Sequence, residues 1–199
     1  LGLPPAFRGA IQDTASTATL AALIAARERL TRGAVNRDGL GAWSARLRVY
    51  TSTEAHSSVD KDMMVAGFGS ANLVKVPVDG DYAMDAAALE RLIAADRDAG
   101  LAPCAVVATV GTTSSTAVDP VPAIAAIARR HGLWLHVDAA LAGSAAILPE
   151  RRGLLAGVAE ADSFVFNPHK WLFTNFDCSA FFCRDPETLV AAMSVTPEY

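Results

Sequence analysis

Short apolar runs alternate along the chain with longer stretches whose apolar residues recur every three to four positions. The runs predict strands at Arg46–Thr51, Leu73–Val78, Cys104–Val110, Trp134–Asp138, Ser163–Phe166 and Ser179–Cys183. Several lack polar alternation, as expected for central strands covered on both faces. The longer stretches predict helices at Ser16–Arg32, Ser57–Ala66, Asp85–Asp96, Val121–His131 and Pro186–Met193. Asp185 caps the last of these with Pro186 in the first helical position, and Gly33 stops the first. This βαβα rhythm predicts an α/β fold with a mainly parallel sheet covered by helices. At 199 residues the chain can bury a sizeable core in one domain.

Composition narrows the function classes. Hydrophobic residues make up 52% of the chain, so the interior is expected to be extensive, while a net charge of −4 without a basic block argues against a nucleic-acid or anionic-membrane partner. No uninterrupted apolar stretch is long enough to span a bilayer. Cys104, Cys178 and Cys183 are an odd set without C-x-x-C spacing, which predicts buried free thiols in a reducing, cytoplasmic setting. The sequence starts at Leu1 and not at Met, so the lack of a targeting signal carries little information.

The candidate chemistry begins at Asn167-Pro168-His169-Lys170, set between Ser163-Phe164-Val165-Phe166 and Trp171-Leu172-Phe173. Lysine is among the residues least often buried. Burial among these neighbours would disfavour its ammonium form and free the amine to attack carbonyls, as a Schiff-base lysine requires. A lysine snorkelling from a strand end is the competing reading. Asp138, closing the apolar run Leu133-Trp134-Leu135-His136-Val137, tips the balance. A Schiff-base lysine and an acid for a pyridinium nitrogen are the two protein groups that pyridoxal phosphate (PLP) needs.

Other candidates fall at strand ends, where ligands bind in open α/β sheets. Thr14-Ala15-Ser16 opens the first helix, either as an anion site or as ordinary capping. His56 follows a strand in Glu54-Ala55-His56-Ser57-Ser58, and Thr113 follows another in Gly111-Thr112-Thr113. His136 reads as structural, and His131 as a solvated histidine at a helix end. No H-x-x-x-H or H-E-x-x-H spacing supports a metal site. Gly67-Phe68-Gly69-Ser70-Ala71-Asn72 lacks the third glycine of a dinucleotide loop and precedes a strand, where such a loop would follow one.

Taken together, His136-Val137-Asp138-Ala139-Ala140, Asn167-Pro168-His169-Lys170-Trp171 and Asn175-Phe176-Asp177-Cys178 resemble the group II PLP-dependent amino-acid decarboxylases, the aromatic-L-amino-acid, histidine and glutamate decarboxylase relatives, from about Gly9 to Tyr199. The resemblance implies the PLP-dependent transferase-like fold (fold type I, aspartate-aminotransferase-like). It further implies that residues 1–199 are the PLP-binding large domain, without the N-terminal helical segment and C-terminal small domain of the family. It places the cofactor phosphate against Ala15 and Ser16 with help from Asn167, although Asp13 stands where an uncharged residue is usual. His56 would stack on the pyridine ring, Asp138 pair with its nitrogen, Ala140 contact its face and Thr113 lie near its 3-hydroxyl. Lys170 would form the Schiff base, His169 position substrate or cofactor, and Tyr199 act from a mobile catalytic loop. Leu141 stands where the family often has an aromatic residue.

The resemblance is greatest to the aromatic-L-amino-acid branch, so the implied activity is decarboxylation of an aromatic L-amino acid (Phe, Tyr, Trp or DOPA type) to its amine and CO₂, by a homodimer whose active site lies at the interface; His56-Ser57-Ser58 favours the aromatic or histidine branch over the glutamate one. A histidine or glutamate decarboxylase, an aldehyde synthase, and a catalytically inactive binding or assembly module are the alternatives.

Overall fold

The structure, a computed structural model, describes residues 1–195. Its strands are β1 (Arg8–Gln12), β2 (Leu47–Ser52), β3 (Leu73–Val76), β4 (Ala102–Thr109), β5 (Trp134–Asp138), β6 (Ser163–Phe166) and β7 (Ser179–Cys183). They form one seven-stranded sheet in the order β1-β7-β6-β5-β4-β2-β3. The stretch from β3 to β6 is parallel throughout. β7 and β1 close the other edge antiparallel, so the sheet is mainly, not wholly, parallel.

Among the described residues seven α-helices accompany it: α1 (Ala15–Thr31), α2 (Ala34–Asp38), α3 (Ser58–Val65), α4 (Ala86–Asp98), α5 (Val121–His131), α6 (Pro168–Trp171) and α7 (Pro186–Met193). Helices cover both faces because successive strand residues point to opposite sides. Val49, Val107 and Trp134 pack under α1, α3 and α7 with Leu23, Met63 and Ala192. Tyr50, Val106 and Leu135 pack under α4 and α5 with Leu89, Ile93 and Ile124. Each such large apolar side chain, once fully buried, stabilises the fold by about 1.5–3 kcal/mol. No helix among the described residues is long and apolar enough to cross a membrane.

Caps set the helix ends, at Asp185 and Gly33 as the sequence predicts. Asp185 accepts the Glu187 and Thr188 N–H groups at the start of α7, and Asp85 does the same for Ala87 and Ala88 in α4. At the end of α1, Arg32 and Gly33 both turn left-handed, with φ of 53° and 76°.

Several expectations need correction. β1 goes unpredicted because Arg8-Gly9-Ala10-Ile11-Gln12 is an exposed edge strand without an apolar face to read. β4 starts at Ala102, two residues before the expected Cys104. Pro103 enters it where the pairing with β2 shifts register between Arg48 and Val49, a position where proline is tolerated. His131 is not solvated: its Nε2 lies 2.6 Å from Glu90 Oε1. Among the cysteines, all free, Cys104 and Cys183 are buried but Cys178 is only half-buried.

Candidate active site

The chain order gives the sheet a switch point. From β2 the chain moves outward to β3, then returns to the other side of β2 to make β4. Connections leaving the carboxyl ends of β2 and β4 therefore part in opposite directions and leave a crevice, where open α/β sheets bind ligands. A cavity of about 440 Å³ opens there, with walls from the β2, β4, β5 and β6 ends and the start of α1.

Nine of the ten residues singled out in the sequence line it: Ala15, Ser16, His56, Thr113, Asp138, Ala140, Asn167, His169 and Lys170. Tyr199 lies outside the described residues. Thr14, Ser58, Thr109, Gly111, Leu141 and Phe176 also line the cavity. Ser58 and Phe176 belong to motifs already noted, but nothing in their residue type marked them. Gly111 is needed for space: its φ is +85°, and a Cβ there would stand 2.8 Å from Ala142 Cβ.

The mouth of α1 has the geometry to accept an anion. Thr14 caps the helix in a box with Thr17, its Oγ1 accepting the Thr17 N–H at 3.2 Å. The Ala15 and Ser16 N–H groups at this positive helix end remain outside the intrahelical ladder. Asp13, the acid out of place in the resemblance, is exposed and is not part of the cavity lining. Asn167 faces α1 from the end of β6. Its Oδ1 accepts from Ser179 Oγ at 2.7 Å, which leaves the amide N–H₂ to donate elsewhere.

Asp138 ends β5 on the face that carries Trp134 and His136. It is buried, and its Oδ1 accepts the Ala140 N–H at 3.0 Å. Burial pushes its pKa up, against the opposing pull of that N–H, Lys170 and His56. His136 is structural, as expected. Its two nitrogens lie 3.1 Å from Thr19 Oγ1 and 2.8 Å from Ser163 Oγ, knitting α1, β5 and β6, and burial lowers its pKa to about 3.

Lys170 sits in α6, where Pro168 takes the first helical position. The expectation that apolar neighbours bury it is wrong. Lys170 is exposed to the cavity, and the run after it leaves the sheet, with Trp171 49%, Phe173 90% and Phe176 78% exposed. The chain turns at α6, so neighbours in sequence do not become neighbours in space. His56 and Thr113 are likewise exposed at the cavity rim.

One further acid emerges from the structure. Asp62 on α3 is buried one turn beyond Ser58, and its Oδ2 has no hydrogen-bond partner. Burial, helped by Asp138, raises its pKa to about 7. No sequence signal set it apart from the surface acids.

The cavity thus offers an N–H cup for an anion, a buried acid suited to a protonated ring nitrogen, and a primary amine. This donor set fits PLP, which carries a phosphate, a pyridine nitrogen and an aldehyde.

Comparison with known proteins points the same way. The family model described as the pyridoxal-dependent decarboxylase conserved domain matches residues 2–199. The chain is 47% identical to aromatic-L-amino-acid decarboxylase of Bos taurus, over 100% of the chain and 42% of that protein. It is 44% identical to phenylacetaldehyde synthase of Arabidopsis thaliana, over 100% of the chain and 41% of the relative. The solved structure of Oryza sativa TDC with PLP and tryptamine superposes with a TM-score of 0.89 at 44% identity, covering 98% of this chain and 40% of that one. The chain therefore spans about two fifths of the length of these relatives.

Proposed function

The chain belongs to the pyridoxal-dependent decarboxylase family, and from that premise we propose that residues 1–199 form the large PLP-binding domain of an enzyme that decarboxylates an aromatic L-amino acid to its amine and CO₂. The observation that carries this reading is the meeting of Lys170, Asp138 and the α1 anion cup in one cavity.

The cofactor, when bound, supplies an electron sink for the pair left on Cα as CO₂ departs. Everything else falls to the chain. The Ala15 and Ser16 N–H groups and the Asn167 amide bind the phosphate. Asp138 holds a proton at the pyridine nitrogen, and the incoming positive charge stabilises its own ionised form. His56 would pack against the ring, and Ala140, with only a methyl group, would leave it room. The Thr113 hydroxyl addresses the 3-hydroxyl side. Lys170 would supply the primary amine that holds the cofactor. Tyr199 delivers a proton to Cα, a role that rests on the resemblance alone.

The aromatic preference is supported by the tryptophan and aromatic-amino-acid decarboxylases among the relatives, and among the described residues the cavity wall carries no arginine to clamp a second carboxylate. A homodimer with its site at the interface is supported by the apolar strip Trp171, Leu172, Phe173 and Phe176, exposed beside the cavity. A cytoplasmic location is supported by the free thiols.

The test is amine release by the full-length protein from Phe, Tyr, Trp, DOPA, His and Glu. Fastest turnover of an aromatic amino acid is expected; faster turnover of Glu overturns the substrate class. Absence of a visible absorption band on adding PLP would favour an inactive module.

A further inference from the structure

An acid occupies a core position on α3. The buried stripe of this helix is Ser58, Val59, Asp62 and Met63, one helical face. Val59 and Met63 pack with Ala18 and Ala22 of α1 and Val107 of β4. Asp62, in the same stripe, is 5% exposed, and its Oδ2 meets no hydrogen-bond partner. A buried carboxyl group without a partner opposes folding, whereas an apolar side chain in its place would not. Packing therefore gives no reason for an acid here.

Its position ties Asp62 to the cavity. Ser58, one turn earlier on the same face, lines the cavity and holds His56 Nδ1 through its N–H at 3.1 Å. Asp138 is buried at the end of β5, on the sheet face that α1 and α3 cover, and its charge repels that of Asp62. The other charges around α3 have partners or act weakly. Lys61, on the same helix, offsets part of the repulsion. Asp60 is paired with Lys75 of β3 at 2.8 Å. From α1, Arg27 and Glu28 bond each other at 2.7 Å, and Arg27 also reaches Ala66 O past the end of α3. Residues Ser70–Asn72, packed on the other side, carry no charge. His56 and Lys170 draw on Asp138.

We propose that Asp62 is a second acid of the cofactor site, a positioning residue that acts through Asp138 to hold positive charge at the ring nitrogen and that gives up its own proton when the charged ring arrives. This inference rests on reading the cavity as a PLP site. Two buried acids that repel each other do not both ionise readily, so Asp62 keeps its proton while Asp138 is charged. A pyridinium at Asp138 offsets that repulsion and attracts a second carboxylate. The O–H bond of Asp62 then breaks, its electron pair stays on the carboxyl group and the proton goes to solvent. Binding that releases a proton tightens as pH rises.

The test is the PLP affinity of the full-length apoprotein from pH 6 to 8 for wild type, Asp62→Asn and Asp60→Asn. The window brackets the value of about 7 to which burial raises the Asp62 carboxyl. Asparagine keeps the shape of the side chain and cannot ionise. The ratio of wild-type to Asp62→Asn affinity should rise with pH, by roughly tenfold for each unit by which the ring lowers the pKa of the acid. Calorimetry at pH 7 in buffers of different ionisation enthalpy should find more protons released by wild type than by Asp62→Asn. Asp60→Asn removes the same charge from the exposed side of α3 and should follow wild type. A ratio that stays flat with pH, with equal proton counts, makes Asp62 merely structural and overturns the proposal. An equal change in Asp60→Asn also overturns it, because charge anywhere on the helix would then suffice. If Asp62→Asn does not fold, Asp62→Ala removes the acid with the best helix former and carries the same comparison. Wild-type protein that binds no PLP at any pH overturns the PLP reading itself, a result distinct from a flat ratio.

Discussion

The Asn167 N–H donates to Ala140 O at 3.1 Å, and this bond joins the two turns that the cavity depends on. Asp138 stands two residues before Ala140 and Lys170 three after Asn167. The spacing of the Asp138 and Lys170 backbones is therefore set by the paired parallel strands β5 and β6. A rigid frame of this kind is what positioning of a bound ring between two groups requires.

PLP should be held covalently by Lys170. The chain has two other lysines, Lys61 and Lys75, and Lys75 Nζ is engaged by Asp60 Oδ2 at 2.8 Å. Borohydride reduction followed by peptide mapping should find the pyridoxyl group on Lys170. Label on Lys61 or Lys75 with Lys170 unmodified would sink the assignment.

Asp138→Ala should leave PLP bound through the phosphate cup and Lys170 yet slow decarboxylation by roughly a hundredfold or more, since the proton at the ring nitrogen loses its fixed partner. Turnover near wild type at saturating PLP would show that another group holds that proton.

Asp62 should make the stability of the apoprotein depend on pH. Its pKa rises from 3.8 to about 7 on folding, so the folded state holds the proton more tightly than the unfolded chain. The associated stability is complete below the unfolded value and is lost as pH climbs through about 7. Asp62→Asn removes the charge and keeps the shape. Thermal unfolding from pH 4 to 8 should show the variant gaining on wild type by about 1–3 kcal/mol at the alkaline end. Parallel curves at all pH values would place the carboxyl in contact with water.

Tyr199→Phe in the full-length protein should lower amine formation and, with dissolved O₂ as the oxidant and water as co-reactant, raise aldehyde, ammonia and hydrogen peroxide, because the ring stays while the proton for Cα is lost. The 44% identity to a phenylacetaldehyde synthase makes this outcome a direct comparison of the two activities. An unchanged amine yield without aldehyde would remove Tyr199 from the chemistry.

Much of this was legible in the sequence, for a physical reason. Central strands of a parallel sheet are buried on both faces, so β5 and β6 appear as plain apolar runs, and the polar residues that interrupt them at one end must line the crevice. Asp138 stands out that way, whereas the role of Asn167 rests on the resemblance. What stayed hidden depends on contacts made at a distance. β1 is a strand only because β7 offers it an edge, and Asp62 looks like any helix acid until α1 and the sheet enclose it. The environment of Lys170 was misread because an apolar run implies burial only where the chain continues into the sheet, and here it turns at α6.

The pairing of β1 with β7 has a consequence in time. Arg8 lies opposite Cys183 and Gln12 opposite Ser179, so residues far apart in the sequence are neighbours in the sheet. Contacts this remote in sequence form slowly, because a long loop must close before any of them is rewarded. The anion cup at the start of α1 follows directly from β1, and its counterpart Asn167 is tied to the first residue of β7 through Ser179. A nascent chain that has not yet emerged as far as β7 thus holds Lys170 and Asp138 but lacks the partner that seats the cup. PLP should act as a late ligand in folding, drawing the last edge of the sheet into register and stabilising only the finished arrangement.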